Sequence, residues 1–192
     1  LRQGAKFHNG DEVKASDVVF SFERAKTIPA MANYTAPIDT VTAVNDYTVQ
    51  VKTVDVLAAA LSQIDEICIL SEKIVNEQGD KFGQSNVDAG CGPYTLSSYD
   101  RSTKITMKAF DDYYRGAPAI KDVTYTVMTD SSASLIAFES GDLDLVTVPL
   151  SSWNMIKENS AYQTVLVPTT HISYIALNLS KAPFDNADLR KA

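Results

Sequence analysis

IKDVTYTVMTDSSASLIAFESGDLDLVTV, residues 120–148, is the stretch whose reading decides the fold. Ile120 to Met128 is rich in β-branched residues and reads as a strand. Asp130 is a fitting N-cap for a helix over Ser131 to Ser140, and Gly141 stands just past its end. Leu143 to Val148 reads as a second strand. Strand, helix, strand predicts a parallel pair joined by a right-handed crossover. A looser repeat of the pattern runs through a helix at Ser151 to Asn159 and a strand at Gln163 to Val167. The second half is therefore α/β in character. Ligands of open parallel sheets sit beyond the carboxyl ends of the strands. Here those ends are Met128 to Asp130, Thr147 to Pro149 and Pro168 to Thr170.

Working outward, Tyr94 to Ser98 and Ile105 to Phe110 form a strand pair, and Ile172 to Asn178 a further strand. Asp185 or Asn186 starts a last helix. Towards the N-terminus, Asp80 to Ala89 is polar and irregular, a fitting domain boundary. Before it, Ser71 to Gln78 is a helix stopped by Gly79, Ile67 to Leu70 a buried strand and Leu57 to Ile64 a short apolar helix. Val41 to Val54 alternates as a hairpin around Asn45-Asp46. A helix from about Ser16 to Lys26 carries Val18, Val19, Phe22 and Ala25 on one face. Residues 1 to 10 read as a strand and a turn at Asn9-Gly10.

The chain has 192 residues, 45% of them hydrophobic and 21% charged, with a net charge of -7. An acidic surface without basic runs argues against nucleic acid or an anionic membrane as the main partner. The apolar runs are too short to span a bilayer. Two cysteines, Cys68 and Cys91, do not make a disulfide framework, and no metal or other cofactor is expected. The chain opens at Leu1 without a signal segment and closes just after a helix start, which reads as a fragment of a longer protein.

Chemistry is hard to place. No Gly-x-Ser-x-Gly elbow, His-Glu-x-x-His motif or phosphate loop occurs. His8 and His171 stand in unrelated contexts, and the local sequence gives His8 neither an orienting carboxylate nor a nucleophile. Asp142 and Asp144 share one strand face but read as a solvated pair. Nothing cationic flanks Cys91 to activate it. The glycines of Gly90-Cys91-Gly92-Pro93 are expected to permit backbone angles closed to other residues. Tyr34, Trp153 and Tyr174 are candidate pocket rings. A hydrolase using Cys91 or His8 is the enzymatic alternative, and its prediction is turnover lost in Cys91→Ala.

An ordered set of blocks resembles one family. Leu1-Arg2-x-Gly4-Ala5-Lys6-Phe7-His8-Asn9-Gly10 and Ala15-Ser16-Asp17-Val18-Val19-Phe20-Ser21 look like its opening signature. Gly90-Cys91-Gly92-Pro93-Tyr94, Asp112-Tyr113-Tyr114, Gly141-Asp142-Leu143-Asp144 and Asn178-x-x-x-x-Pro183-Phe184-Asp185 follow in order. The family is the peptide/nickel class of extracellular solute-binding proteins of ABC importers. The resemblance implies a type II periplasmic-binding-protein-like fold, here a partial lobe with a mixed sheet plus a small α+β subdomain, the second lobe being missing. It implies a subdomain over residues 1–89 and part of the main lobe over 90–192. It implies capture of a peptide or related small solute outside the cytoplasm, in the periplasm or from a lipid anchor, and delivery to a membrane permease. The ligand contacts it implies are Tyr34, Thr147, Val148, Thr169, Tyr174 and Ala176. Thr169, Ala176 and the Thr147-Val148 pair depart from the aromatic, acidic and aromatic-amide residues of peptide-binding members. Lys14 stands where a capping Thr is usual, which leaves Ser16 to take over the cap. A sensor domain of the same fold is the remaining alternative. The exposed edges of a cut lobe predict self-association.

Overall fold

Val18, Phe22 and Ala25 form the buried face of helix α1 (Ala15–Lys26) in a computed structural model of the chain, which describes residues 1–84, 87–168 and 174–191. Asp17, not Ser16, supplies the oxygen at the start of this helix, accepting the Lys14 N–H at 3.0 Å. Its other carboxylate oxygen accepts the Glu72 N–H at 3.1 Å, so one side chain serves two helix starts. Strands β1 (Ile38–Asn45) and β2 (Thr48–Thr53) pair antiparallel, with Val41 opposite Val51 and Ala43 opposite Val49. Val18, Phe22, Ala25, Ile38, Val41 and Ile67 make one buried cluster between α1 and this hairpin. Short helices α2 (Ala32–Thr35) and α3 (Ala60–Ile64) follow α1 and the hairpin respectively. Helix α4 (Glu72–Gln78) starts at Ser71, whose Oγ accepts the Ile74 N–H. It stops at Gly79, where φ is +51°, a conformation that favours glycine.

Ile67 to Leu70, expected as a strand, buries Ile67 but joins no sheet. Its backbone is satisfied another way. Leu70 N–H donates to the Ser21 hydroxyl at 2.9 Å, and Ser71 N–H to the Ala89 carbonyl at 2.9 Å. The first ten residues bend back at Gly10, where φ is +90°. A single bridge pairs Lys6 with Glu12. Phe7, 1% exposed, forms a second cluster with Ala5 and Val13, against which Ile69, Cys91 and Tyr114 pack.

Strands β3 (Tyr94–Tyr99), β4 (Lys104–Ala109) and β5 (Asp122–Thr126) form an antiparallel sheet in that order. Asp100 builds the turn between β3 and β4, accepting from Ser102 N–H, Ser102 Oγ–H and Thr103 Oγ1–H. Those donors hold its carboxyl down at about 2. The neighbour of β5 is β4, not a strand after residue 140. The two crossovers expected over 120–148 and 143–167 therefore do not form among the described residues. An apolar run with strand character does not name its hydrogen-bond partner, and 143–148 and 163–167 have none within this chain's described sheets.

Two compact units result, Leu1–Thr129 and Asp130–Ala192. The division falls later than the boundary read at residues 89 and 90. Contacts of His8 with residues 88, 90 and 92 tie the three-stranded sheet to the N-terminal segment. In the second unit, helix α5 (Ser131–Glu139) starts as expected, with Asp130 accepting the Ala133 N–H at 2.7 Å. Leu135 and, from α6 (Trp153–Glu158), Ile156 are its buried residues, and Phe138 and Tyr162 meet with ring centres 5.1 Å apart. Helix α7 (Ala187–Lys191) is started by Asn186, which accepts the Asp188 N–H at 2.8 Å.

Candidate functional site

Five of the six solute-contact residues expected from the resemblance lie among the described residues, one in the first unit and four in the second. Tyr34 lies half-buried in α2 of the first unit. Thr147, exposed, and Val148, half-buried, lie in the second unit on the irregular stretch before Pro149, which leads into α6. Tyr174 and Ala176 are exposed in the same unit, just ahead of a turn in which Asn178 accepts the Ser180 N–H at 3.0 Å. Thr169 lies outside the described residues, as do His171 and the start of the strand expected over Ile172 to Asn178. Two shallow hollows are present in the first unit. One, of about 400 Å³, is lined by Ser16, Val19, Phe20, Val41 and Glu72 among others. The other, of about 500 Å³, is lined by Leu61, Ser62, Ile64 and Asp65. Tyr34, Thr147, Val148, Tyr174 and Ala176 line neither.

The most constructed polar site joins two of the sequence blocks. His8 Nε2 lies 2.9 Å from the Gly92 carbonyl oxygen. A carbonyl only accepts, so Nε2 carries a proton. Nδ1 lies 2.7 Å from Asp88 Oδ1, close enough for a charge contact but too poorly aligned to be a directed hydrogen bond. Asp88 Oδ1 also accepts the Gly90 N–H at 3.0 Å, and Oδ2 the Leu96 N–H at 2.6 Å. The His8 N–H donates to the Gly90 carbonyl at 2.9 Å, and the ring meets Phe110 edge-on at 4.9 Å. Burial works against the charged imidazole, but the Asp88 carboxylate and Gly92 carbonyl outweigh it and raise the His8 pKa. Burial likewise opposes ionised Asp88, yet His8 and the Leu96 and Gly90 N–H groups lower its pKa.

Asp88 was not legible as this partner, because eighty positions separate it from His8 and it sits in a polar stretch that reads as a linker. Gly90 also has a different role from the one expected. Neither Gly90 nor Gly92 has a positive φ. A Cβ on Gly90 would instead lie 3.2 Å from Asp88 Oδ1 and 3.3 Å from His8 Cε1, so glycine favours the close approach of that pair.

This arrangement does not make a nucleophile and base. His8 Nε2 is held by the Gly92 carbonyl and Nδ1 faces the Asp88 carboxylate, and burial first, then the nearby Cys68, Asp17 and Asp88, push the Cys91 thiol up. A thiol raised in this way is a poor nucleophile. Asp142 accepts the Ser140 hydroxyl at 3.0 Å in an exposed turn. Among the described residues no three His, Cys, Asp or Glu side chains gather as a metal site, and no helix is long and apolar enough to cross a membrane.

The profile of the "Bacterial extracellular solute-binding proteins, family 5 Middle" matches residues 1–192. The chain is 27% identical to a probable D,D-dipeptide-binding periplasmic protein, DdpA, of Escherichia coli K12, and the match covers all of this chain and 39% of that protein. Among solved structures, it matches the binding protein MoaA from A. tumefacien R10 in complex with mannopinic acid, with a TM-score of 0.79 and 27% identity. That match covers 100% of this chain and 40% of the other. The dipeptide-binding protein from pseudoalteromonas sp. SM9913 in complex with Met-Leu gives a TM-score of 0.83 at 19% identity, over 100% of this chain and 43% of that one. The fold is thus a mixed α/β part of the type II periplasmic-binding-protein fold. The chain spans about two fifths of the length of the curated relatives it matches.

Proposed function

The chain belongs to the bacterial extracellular solute-binding proteins, family 5, and from that premise we propose that it is part of the solute-capturing component of an ABC importer. The solute class is a peptide or related small molecule, in keeping with relatives named for a D,D-dipeptide or solved with Met-Leu and mannopinic acid. The work is done outside the cytoplasm, by a protein free in the periplasm or held there by a lipid anchor, and ends with delivery to a membrane permease. Capture needs no bond to form or break. It needs a crevice of apolar walls and a few placed polar groups that closes on the ligand. The observation that carries the reading is the family match over residues 1–192.

Thr147, Val148, Thr169, Tyr174 and Ala176 would supply one wall of that crevice, with Tyr34 reaching it from residues 1–89, the family's small subdomain. Exposure supports this for Thr147, Tyr174 and Ala176, whose side chains are free to meet a solute. The apolar residues Leu145 (85% exposed), Leu166 (79%) and Ile175 (89%) lie on the unpaired stretches around them. They would be covered when those stretches gain strand neighbours from the remainder of the protein.

Mass spectrometry of small molecules released from the purified full-length protein tests the proposal. A peptide or similar solute at near-stoichiometric amount, lost in Tyr174→Ala with Thr147→Ala, is the expected result. Full-length protein that is folded, carries no solute and shows no thermal shift with a peptide library would overturn it.

A further inference from the structure

His8 is set between two acceptors, which favours a doubly protonated ring. Nε2 faces the Gly92 carbonyl and Nδ1 the Asp88 carboxylate, and neither oxygen can donate a proton. Asp88 is in turn kept ionised by two backbone N–H groups, of Gly90 and Leu96. The side chains are 7% and 19% exposed, so the pair is largely out of solvent. It lies where the opening turn meets the entry to β3, and the same turn is fastened there by the His8 N–H on the Gly90 carbonyl. We propose that His8 and Asp88 form a pH-sensitive clasp, a buried ion pair that fastens the N-terminal turn to the Gly90–Pro93 loop in mild acid and lets go in alkali.

The other charged groups nearby are already paired elsewhere. Lys6, on the same turn, pairs with Asp112 and Asp11 with Lys73, while Asp111, next to Phe110, pairs with Lys121. The uncharged neighbours are the Phe110 ring and the Cys91 thiol, the latter raised by burial and so neutral at ordinary pH. Asp88 is thus the titrating partner of His8. The direction of the effect follows from the two shifts. His8 is raised above its ordinary 6.5, so its contribution is complete below that value and is lost as pH rises through the folded-state value. Asp88 is lowered from 3.8, so its contribution is complete above that value and fails only in stronger acid. The clasp is tightest between them. In an extracellular family this pair meets the pH of the surroundings directly.

The test is a proton NMR titration of the His8 ring in the full chain, with His8→Gln identifying the resonance. Alongside it, thermal midpoints are measured from about pH 5 to about pH 9 for the wild type and Asp88→Asn. We expect His8 to titrate above 6.5 in the wild type and lower in Asp88→Asn. The wild-type midpoint should fall by several degrees across the alkaline half of the range, and Asp88→Asn should lack that slope. If Asp88→Asn does not fold, His8→Gln serves in its place and should also lack the slope. A His8 that titrates at or below 6.5, or a slope unchanged in either variant, would overturn the clasp.

Discussion

Phe7 is 1% exposed among Ala5, Val13, Ile69 and Tyr114, so truncating it empties the centre of that cluster. Phe7→Ala is expected to cost about 3–5 kcal/mol, read as a lower urea midpoint with little change in slope. Asp130→Ala removes the oxygen that accepts the Ala133 N–H and should cost about 1 kcal/mol in the same experiment. A loss below a few tenths would mean that the helix start is satisfied by water. Single residues were legible in the sequence wherever the chemistry is local. Asp130, Gly79 and Gly141 act on neighbours within a few positions, and each stands where expected. Asp88 was not legible, because its partner is distant in sequence and only the folded chain brings them together.

Elements are joined in the first unit by side chains more than by strand ladders. Asp17 accepts from Lys14 and Glu72 N–H groups, and Ser21 accepts from the Leu70 N–H, so α1 organises the segment from Ile67 to the start of α4. Ser21→Ala leaves the Leu70 amide without its partner and should destabilise by about 1–3 kcal/mol. Faster hydrogen exchange at Leu70 and Ser71, with α5 unchanged, is the local signature to look for. Helical and hairpin periodicity made α1, β1, β2, β3 and β4 legible, since these elements bury one face within a short span. The segments 143–148 and 163–167 have the composition of strands but no pairing among the described residues. Alternation reports which side chains seek burial, and only the fold as a whole decides which backbone lies alongside.

At the scale of the whole molecule, the family was legible from six short blocks in order. The exposed apolar residues of the second unit predict that the 192-residue chain self-associates. Light scattering should show a mass that rises with concentration, and a strict monomer would contradict this. The most direct test of solute capture is titration calorimetry of a peptide library into the full-length protein and, separately, into this chain. One-to-one binding at about micromolar strength or tighter by the full-length protein, with none detectable by the chain alone, is the predicted result. Equal micromolar binding by the chain alone, or no binding by either, would contradict the account.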